Sequence, residues 1–101
     1  GVASPMNRLL LTAQLVDRAA MRYTPAGLPA LDVGLKHESE LSENGLPRKV
    51  FMEMRAVAIG EVTQTLTAMA LGDAALFAGF VTSARNGRGL RFHITQVDRS
   101  G

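Results

Sequence analysis

Rings and cations are the side chains whose types and spacing could do chemistry here. The chain carries five rings, Tyr23, Phe51, Phe77, Phe80 and Phe92. Phe51 follows closely on Arg48 and Lys49, and Tyr23 follows Arg22. Arg85, Arg88 and Arg91 crowd a short stretch near the C-terminus, with Arg99 beyond them. An exposed ring beside cations is the equipment of a groove for a single-stranded nucleic acid, because bases stack on the ring while cations track the phosphates. Such binding weakens with salt. The plain alternative for each arginine is a solvated surface charge. Phe77, Phe80 and Phe92 fit core positions, and Tyr23 fits packing in a turn.

Catalysis has no comparable set of residues. There is no Ser-His-Asp or Cys-His set, so no enzyme is expected. Asn86-Gly87-Arg88-Gly89 reads as a hairpin turn between strands, not the opening of a helix that a phosphate-binding loop needs. Cysteine is absent, which excludes disulfides and thiolate metal sites. His37 and His93 are far apart and lack ligand spacing, so neither metal nor cofactor is expected.

The elements that must carry these side chains read as strands. Residues 7–16 alternate, with Leu9, Leu11, Ala13 and Leu15 on one face. Residues 21–23 could continue that strand after a bend. Thr24-Pro25-Ala26-Gly27-Leu28-Pro29 reads as a turn. Residues 30–37 alternate again, Leu31, Val33 and Leu35 against Asp32, Gly34 and Lys36. The polar stretch 38–47 reads as a long hairpin loop containing Asn44-Gly45. Strand character returns over 48–59, with Val50, Met52, Met54 and Ala56 on one face and Phe51, Glu53, Arg55 and Val57 on the other.

The period changes over 61–71. Val62, Leu66 and Met69 share one helical face, though the threonines there shorten the helix to one or two turns. Residues 74–83 form a strand in which Gly79 marks a bulge or sharp coil. A hairpin turn comes next, then a last strand over 90–97 with Leu90, Phe92 and Ile94 inward. The fold class is therefore all-β: a five-stranded Greek-key OB-fold barrel with a short helix or turn between the third and fourth strands. Pattern alone leaves an SH3-like or other small barrel open.

At 101 residues the chain fits one domain. Residues 1–6 read as a disordered N-terminal extension or an expression remnant, and residues 7–99 as a single OB-fold domain. A chain this short would gain burial by oligomerising. The net charge of +2 is mild and does not by itself indicate nucleic acid. No apolar run approaches the roughly 18 residues of a membrane helix, and the N-terminus lacks the features of a signal peptide. The expectation is a cytoplasmic protein with no membrane partner.

Several segments together carry a family resemblance. They are Asn7-Arg8-Leu9-Leu10-Leu11; the turn Thr24 to Pro29 with the strand ending Leu35-Lys36-His37-Glu38; Leu71-Gly72-Asp73 through Ala78-Gly79-Phe80-Val81; and Asn86-Gly87 followed by Leu90, His93 and Gln96-Val97. In order and spacing the chain resembles the primosomal replication protein N (PriB) family of bacterial single-stranded-DNA-binding OB-fold proteins, over nearly its whole length. The missing long, acidic-tipped tail also favours this family over the ordinary single-strand-binding proteins.

The resemblance implies a homodimer that binds single-stranded DNA at replication forks and bridges it to the PriA helicase and to DnaT. It implies that Phe51 occupies a base-stacking position, and that Leu46 stands at a second aromatic position without a ring. Arg22 and Arg85 match basic, DNA-contacting positions, with Arg88 and Arg91 nearby. Arg48, Lys49 and Lys36 would add charge around Phe51. Departures point to weaker DNA binding: Glu38 replaces a basic residue, and Glu40 and Glu43 add repulsion toward phosphate. A protein-binding adaptor with little DNA affinity is the main alternative, and a general single-strand-binding protein a further one. They are separated by whether Phe51, Arg22 and Arg85 share one continuous face.

Overall fold

Leu11, Ala13 and Leu15 are buried between exposed neighbours, and the strand this pattern predicts forms as β1 (Leu9–Arg18). After it come β2 (Arg22–Tyr23), β3 (Pro29–Glu43), β4 (Leu46–Ile59), α1 (Val62–Ala68), β5 (Ala74–Ser83) and β6 (Leu90–Asp98). The computed structural model describes residues 4–99. Positions 1–3 of the expected N-terminal extension lie outside the described residues.

Hydrogen-bonded neighbours run β1–β5–β6–β4–β3, and β3 returns to β1. Five long strands thus close into an OB-fold barrel, with the two-residue β2 added on β3. Every pairing is antiparallel except β4 with β6. β1 closes the barrel by serving two neighbours: Leu9 to Gln14 pair with β5, and Gln14 to Arg18 pair with β3. A bulge between Leu15 and Asp17 inserts Val16 and turns the strand from one partner to the other.

Leu11, Leu15, Leu31, Val33, Leu35, Phe77, Phe92 and Ile94 fill the interior. Full burial of one such side chain contributes about 1.5–3 kcal/mol. The short helix adds Leu66 and Met69 to the same core. Its buried Thr63 hydroxyl donates to the Gly60 carbonyl. At the other end the Arg18 guanidinium donates to the carbonyls of Leu66, at 3.0 Å, and Met69, at 2.6 Å. Carbonyls at a helix C-terminus lack partners in the next turn, and a cation there also suits the helix dipole.

Three expectations need correction. Residues 38–47 are not a loop: β3 and β4 stay paired out to Glu43 opposite Leu46. Only Asn44 and Gly45 turn, at φ of 52° and 77°, the left-handed pair that a two-residue hairpin requires. The hairpin reaches past the barrel, where both faces are wet, so its strands lack the apolar alternation that marks a strand. Phe80 is not core: it is 38% exposed on the outer face of β5. Leu90 is exposed as well, because it opens β6 beyond the end of the barrel.

Gly79 behaves as its position in the sequence predicts. The β5–β6 register shifts between Ala78 and Gly79, and a Cβ on Gly79 would run into the backbone carbonyl of His93. Gly79→Ala is therefore expected to lower stability by about 1–3 kcal/mol, the usual range for overpacking. Urea or thermal unfolding followed by circular dichroism measures this; an unchanged midpoint would mean the bulge is free to move.

Candidate nucleic-acid interface

The alternation that buries Leu31, Val33 and Leu35 turns Asp32, Gly34, Lys36, Glu38 and Glu40 outward on β3. Their partners on β4 are Val57 opposite Asp32, Arg55 opposite Gly34, Glu53 opposite Lys36, Phe51 opposite Glu38 and Lys49 opposite Glu40. Directly opposed residues share a face, so these positions lie on one side of the strand pair. That side is open to solvent at the hairpin end but covered at Val57, which is buried although its parity groups it with Phe51 and Arg55. Phe51 is 63% exposed on this side. The Lys36 ammonium sits 5.2 Å from the centroid of its ring, within cation–π range. Lys49 stands one side-chain step further out, and Glu38 and Glu40 interleave with these cations.

Toward the barrel the same surface becomes a groove of about 480 Å³ lined by Ala19, Arg22, Asp32, Arg55, Ala56, Arg85 and Arg91. Four arginines from four places in the chain meet there. Arg22 comes from β2, Arg55 from β4, Arg85 from the turn before β6 and Arg91 from β6 itself. The parallel pairing of Ala56 with Phe92 brings Arg55 and Arg91, each one residue earlier, side by side. Phe51 and Arg55 lie four residues apart on one face of β4, about 13 Å at the usual rise. Ring and groove thus form one continuous face.

Two carboxylates hold two of the arginines. Arg22 makes a forked contact with Asp32, Nε to Oδ2 at 2.7 Å and Nη2 to Oδ1 at 3.2 Å. Hydrogen bonding from Arg22 holds the Asp32 carboxyl below its ordinary range, helped by the charges of Arg91 and Arg55. Arg55 reaches across Gly34 to Asp17, Nη1 to Oδ2 at 3.2 Å. It has a clear path because Gly34 has no side chain: a Cβ there would sit 3.3 Å from the Arg55 Nη1 and 3.2 Å from the Asp17 Cβ.

The structure gathers some of the residues singled out in the sequence and separates others. Arg22, Arg85 and Arg91 line the groove, and Phe51, Lys36 and Lys49 lie along the face that leads to it. Leu46 and Arg48 point to the opposite face of the hairpin, where Arg48 pairs with Glu43 at 3.6 Å. Arg88 is at the exposed tip of the β5–β6 turn, outside the groove lining, its N–H donating to the Asn86 side chain. Sequence reasoning misses Arg55 as a site residue. The signal that could have found it is its parity with Phe51 along β4, which puts both on one face.

The histidines make contacts within the protein. His37 Nδ1 donates to the Thr12 carbonyl, and its Nε2 meets the Ser39 hydroxyl. The His93 ring stacks on Phe80, with centroids 4.8 Å apart and planes within 11°. Burial lowers the His93 pKa, and the neighbouring Arg91 charge lowers it further. Asn7 extends the β1–β5 ladder with its side chain: its amide donates to the Val81 carbonyl and accepts from the Val81 N–H.

Comparison with known proteins agrees with the fold and gives the family. A family model described as "another single-strand binding protein family" matches residues 7–96. The replication restart protein PriB of Bordetella pertussis is 42% identical over 95 residues, spanning 93% of this chain and 89% of that protein. The solved PriB structure from Ralstonia solanacearum superimposes with a TM-score of 0.86 at 34% identity, covering 96% of this chain and 100% of that one. The single-stranded DNA binding protein of Thermus aquaticus shares the fold, with a TM-score of 0.72 at 23% identity, covering 95% of this chain and 50% of that one.

The lowered His93 pKa has a pH consequence. The unfolded chain takes up the proton first, so this histidine's contribution to stability is complete above about pH 6.5. It is lost as pH falls from there through the folded-state pKa. The unfolding temperature should decline between about pH 7.5 and 5.5, and His93→Gln should flatten that decline. Equal slopes in the two proteins would assign the decline to other groups.

Proposed function

This chain belongs to the single-strand binding family that includes the replication restart protein PriB, and on that premise we propose that it binds single-stranded DNA as a non-catalytic component of replication restart. Phe51 would stack a base, while Lys36 and Lys49 and then the groove arginines follow the phosphates toward the barrel. The observation that carries this reading is the continuity of one face from the exposed Phe51 ring to the groove of Arg22, Arg55, Arg85 and Arg91. Arg48, Arg88 and Leu46 would contribute only if the strand wraps the hairpin or the turn.

PriA and DnaT are the proposed protein partners, at replication forks in the cytoplasm. No helix of the described residues is long and apolar enough to cross a membrane. A homodimer is proposed through the edge of β1 that faces away from β5. Among the described residues, no strand pairs with that edge from Leu9 to Ala13, and an open edge is a template for strand addition. A second reading, an adaptor with little DNA affinity, is favoured by Glu38 directly opposite Phe51 and Glu40 opposite Lys49.

Titration of fluorescent oligo-dT tests the reading. Four phosphate contacts at about 0.7 counterions each predict roughly a twenty-fold loss of affinity from about 50 to 150 mM salt. Phe51→Ala should cost about 1–3 kcal/mol, the range for one stacked base, and Arg91→Ala should weaken binding and flatten the salt dependence. An absence of binding at low salt would favour the adaptor. Intact affinity in Phe51→Ala would remove the ring from the site.

A further inference from the structure

The groove holds its own substitutes for phosphate. Arg22 presents its Nε and Nη2 edge to Asp32 in a two-point fork, the geometry in which arginine also grips a phosphate. One guanidinium edge cannot serve both. Arg55 is drawn across Gly34 to Asp17. The groove's four positive charges are thereby offset by two carboxylates, while Arg85 and Arg91 line it alongside. Both ion pairs are solvent-accessible, with Arg22 47%, Arg55 64% and Asp17 61% exposed. Such pairs are weak in water and open to displacement by a stronger anion.

We propose that Asp32 and Asp17 are internal competitors for the DNA backbone, occupying Arg22 and Arg55 until a strand displaces them, so that binding stays moderate and the strand exchanges readily. This rests on the single-stranded DNA reading above. A chain of closely spaced phosphates engages Arg85 and Arg91 first and then takes the two held arginines from their carboxylates. The carboxylates remain beside the bound backbone and repel it. The two aspartates therefore set how tightly the groove holds DNA, while the arginines set what it holds.

The position of each aspartate fits this role. The β1 bulge brings Asp17 opposite Gly34, which is itself opposite Arg55, so the three form one row across three strands. Asp32 lies within the field of Arg22, Arg91 and Arg55 together, at the centre of the cationic surface and not at its rim. Neither carboxylate is needed to satisfy a buried group, since its partner guanidinium is exposed to water.

The test is oligo-dT affinity over a range of salt for the full chain, with Asp32→Asn, Asp17→Asn and the double substitution. Asparagine keeps the shape and an acceptor oxygen but removes the charge. Each single variant should bind about three- to ten-fold more tightly at low salt, the size of one nearby charge seen through water. The salt slope should stay near that of the wild type, because the same four arginines meet phosphate in both complexes, and dissociation should slow. Adding Arg22→Gln to Asp32→Asn should abolish its gain. Unchanged or weaker binding in the aspartate variants overturns the proposal, because it would make the carboxylates mere orienting groups. If salt-sensitive wild-type binding is lost in Arg91→Ala while the aspartate variants gain nothing, this inference alone fails. If neither wild type nor Asp32→Asn binds at low salt, the DNA reading fails with it. Should Asp32→Asn unfold, Asp17→Asn, on an exposed side chain, poses the same question for Arg55.

Discussion

β1 must hydrogen-bond to two different strands, because only that double pairing closes the barrel. Its first half runs with β5 and its second with β3. Between them the Leu15 backbone ties to the segment before β5, its N–H donating to the Asp73 carbonyl and its carbonyl accepting from the Gly72 N–H. A straight strand could not do this, so the bulge at Val16 is required. The bulge also re-aims the residues beyond it. Asp17 is carried onto the outer surface beside Gly34, and Arg18 swings under the helix to take carbonyls at its end. Closure of the core and placement of an outer-surface carboxylate are therefore consequences of one backbone irregularity.

Two glycines do complementary work. At Gly79 the backbone of β6 comes too close to admit a side chain, and the β5–β6 ladder shifts register there. At Gly34 the missing side chain leaves a shallow channel on the outer surface through which Arg55 crosses. The first serves the fold and the second the surface, although both read in the sequence as isolated glycines within strands.

The outer face of β3 and β4 is electrically mixed. Cations and carboxylates alternate from Lys49 and Glu40 at the hairpin to Arg22 and Asp32 at the barrel. Repulsive charges close to a phosphate path weaken affinity without removing the path, because exposed charges are screened by water and salt. Under the proposed function, this distribution would let a strand be bound and released again.

Most of the fold was legible locally: the strands on both sides of the helix from period-two alternation, the helix from the helical spacing of Val62, Leu66 and Met69, the turn at 24–29 from its proline and glycine, and the bulge from Gly79. The extended hairpin was not legible, because a strand wet on both faces has no apolar alternation to show. Phe80 could not be placed for a related reason, since a ring on the outer face of a barrel strand looks like core until its neighbours are known. For the site, the local run Arg48-Lys49-Val50-Phe51 and parity along β4 pointed to Phe51, and family resemblance to Arg22 and Arg85. Residue type and parity are local properties that the sequence by itself determines: which residues of a strand share a face, and where most of the chain turns. The arginine groove is not local. It depends on the β4–β6 parallel register, the β1 bulge and the gap at Gly34, which bring together Asp17, Arg22, Arg55 and Arg91 from distant points in the chain. Only the closed barrel decides those distances, because neighbouring strands in space are set by hydrogen-bond pairing and not by order along the chain.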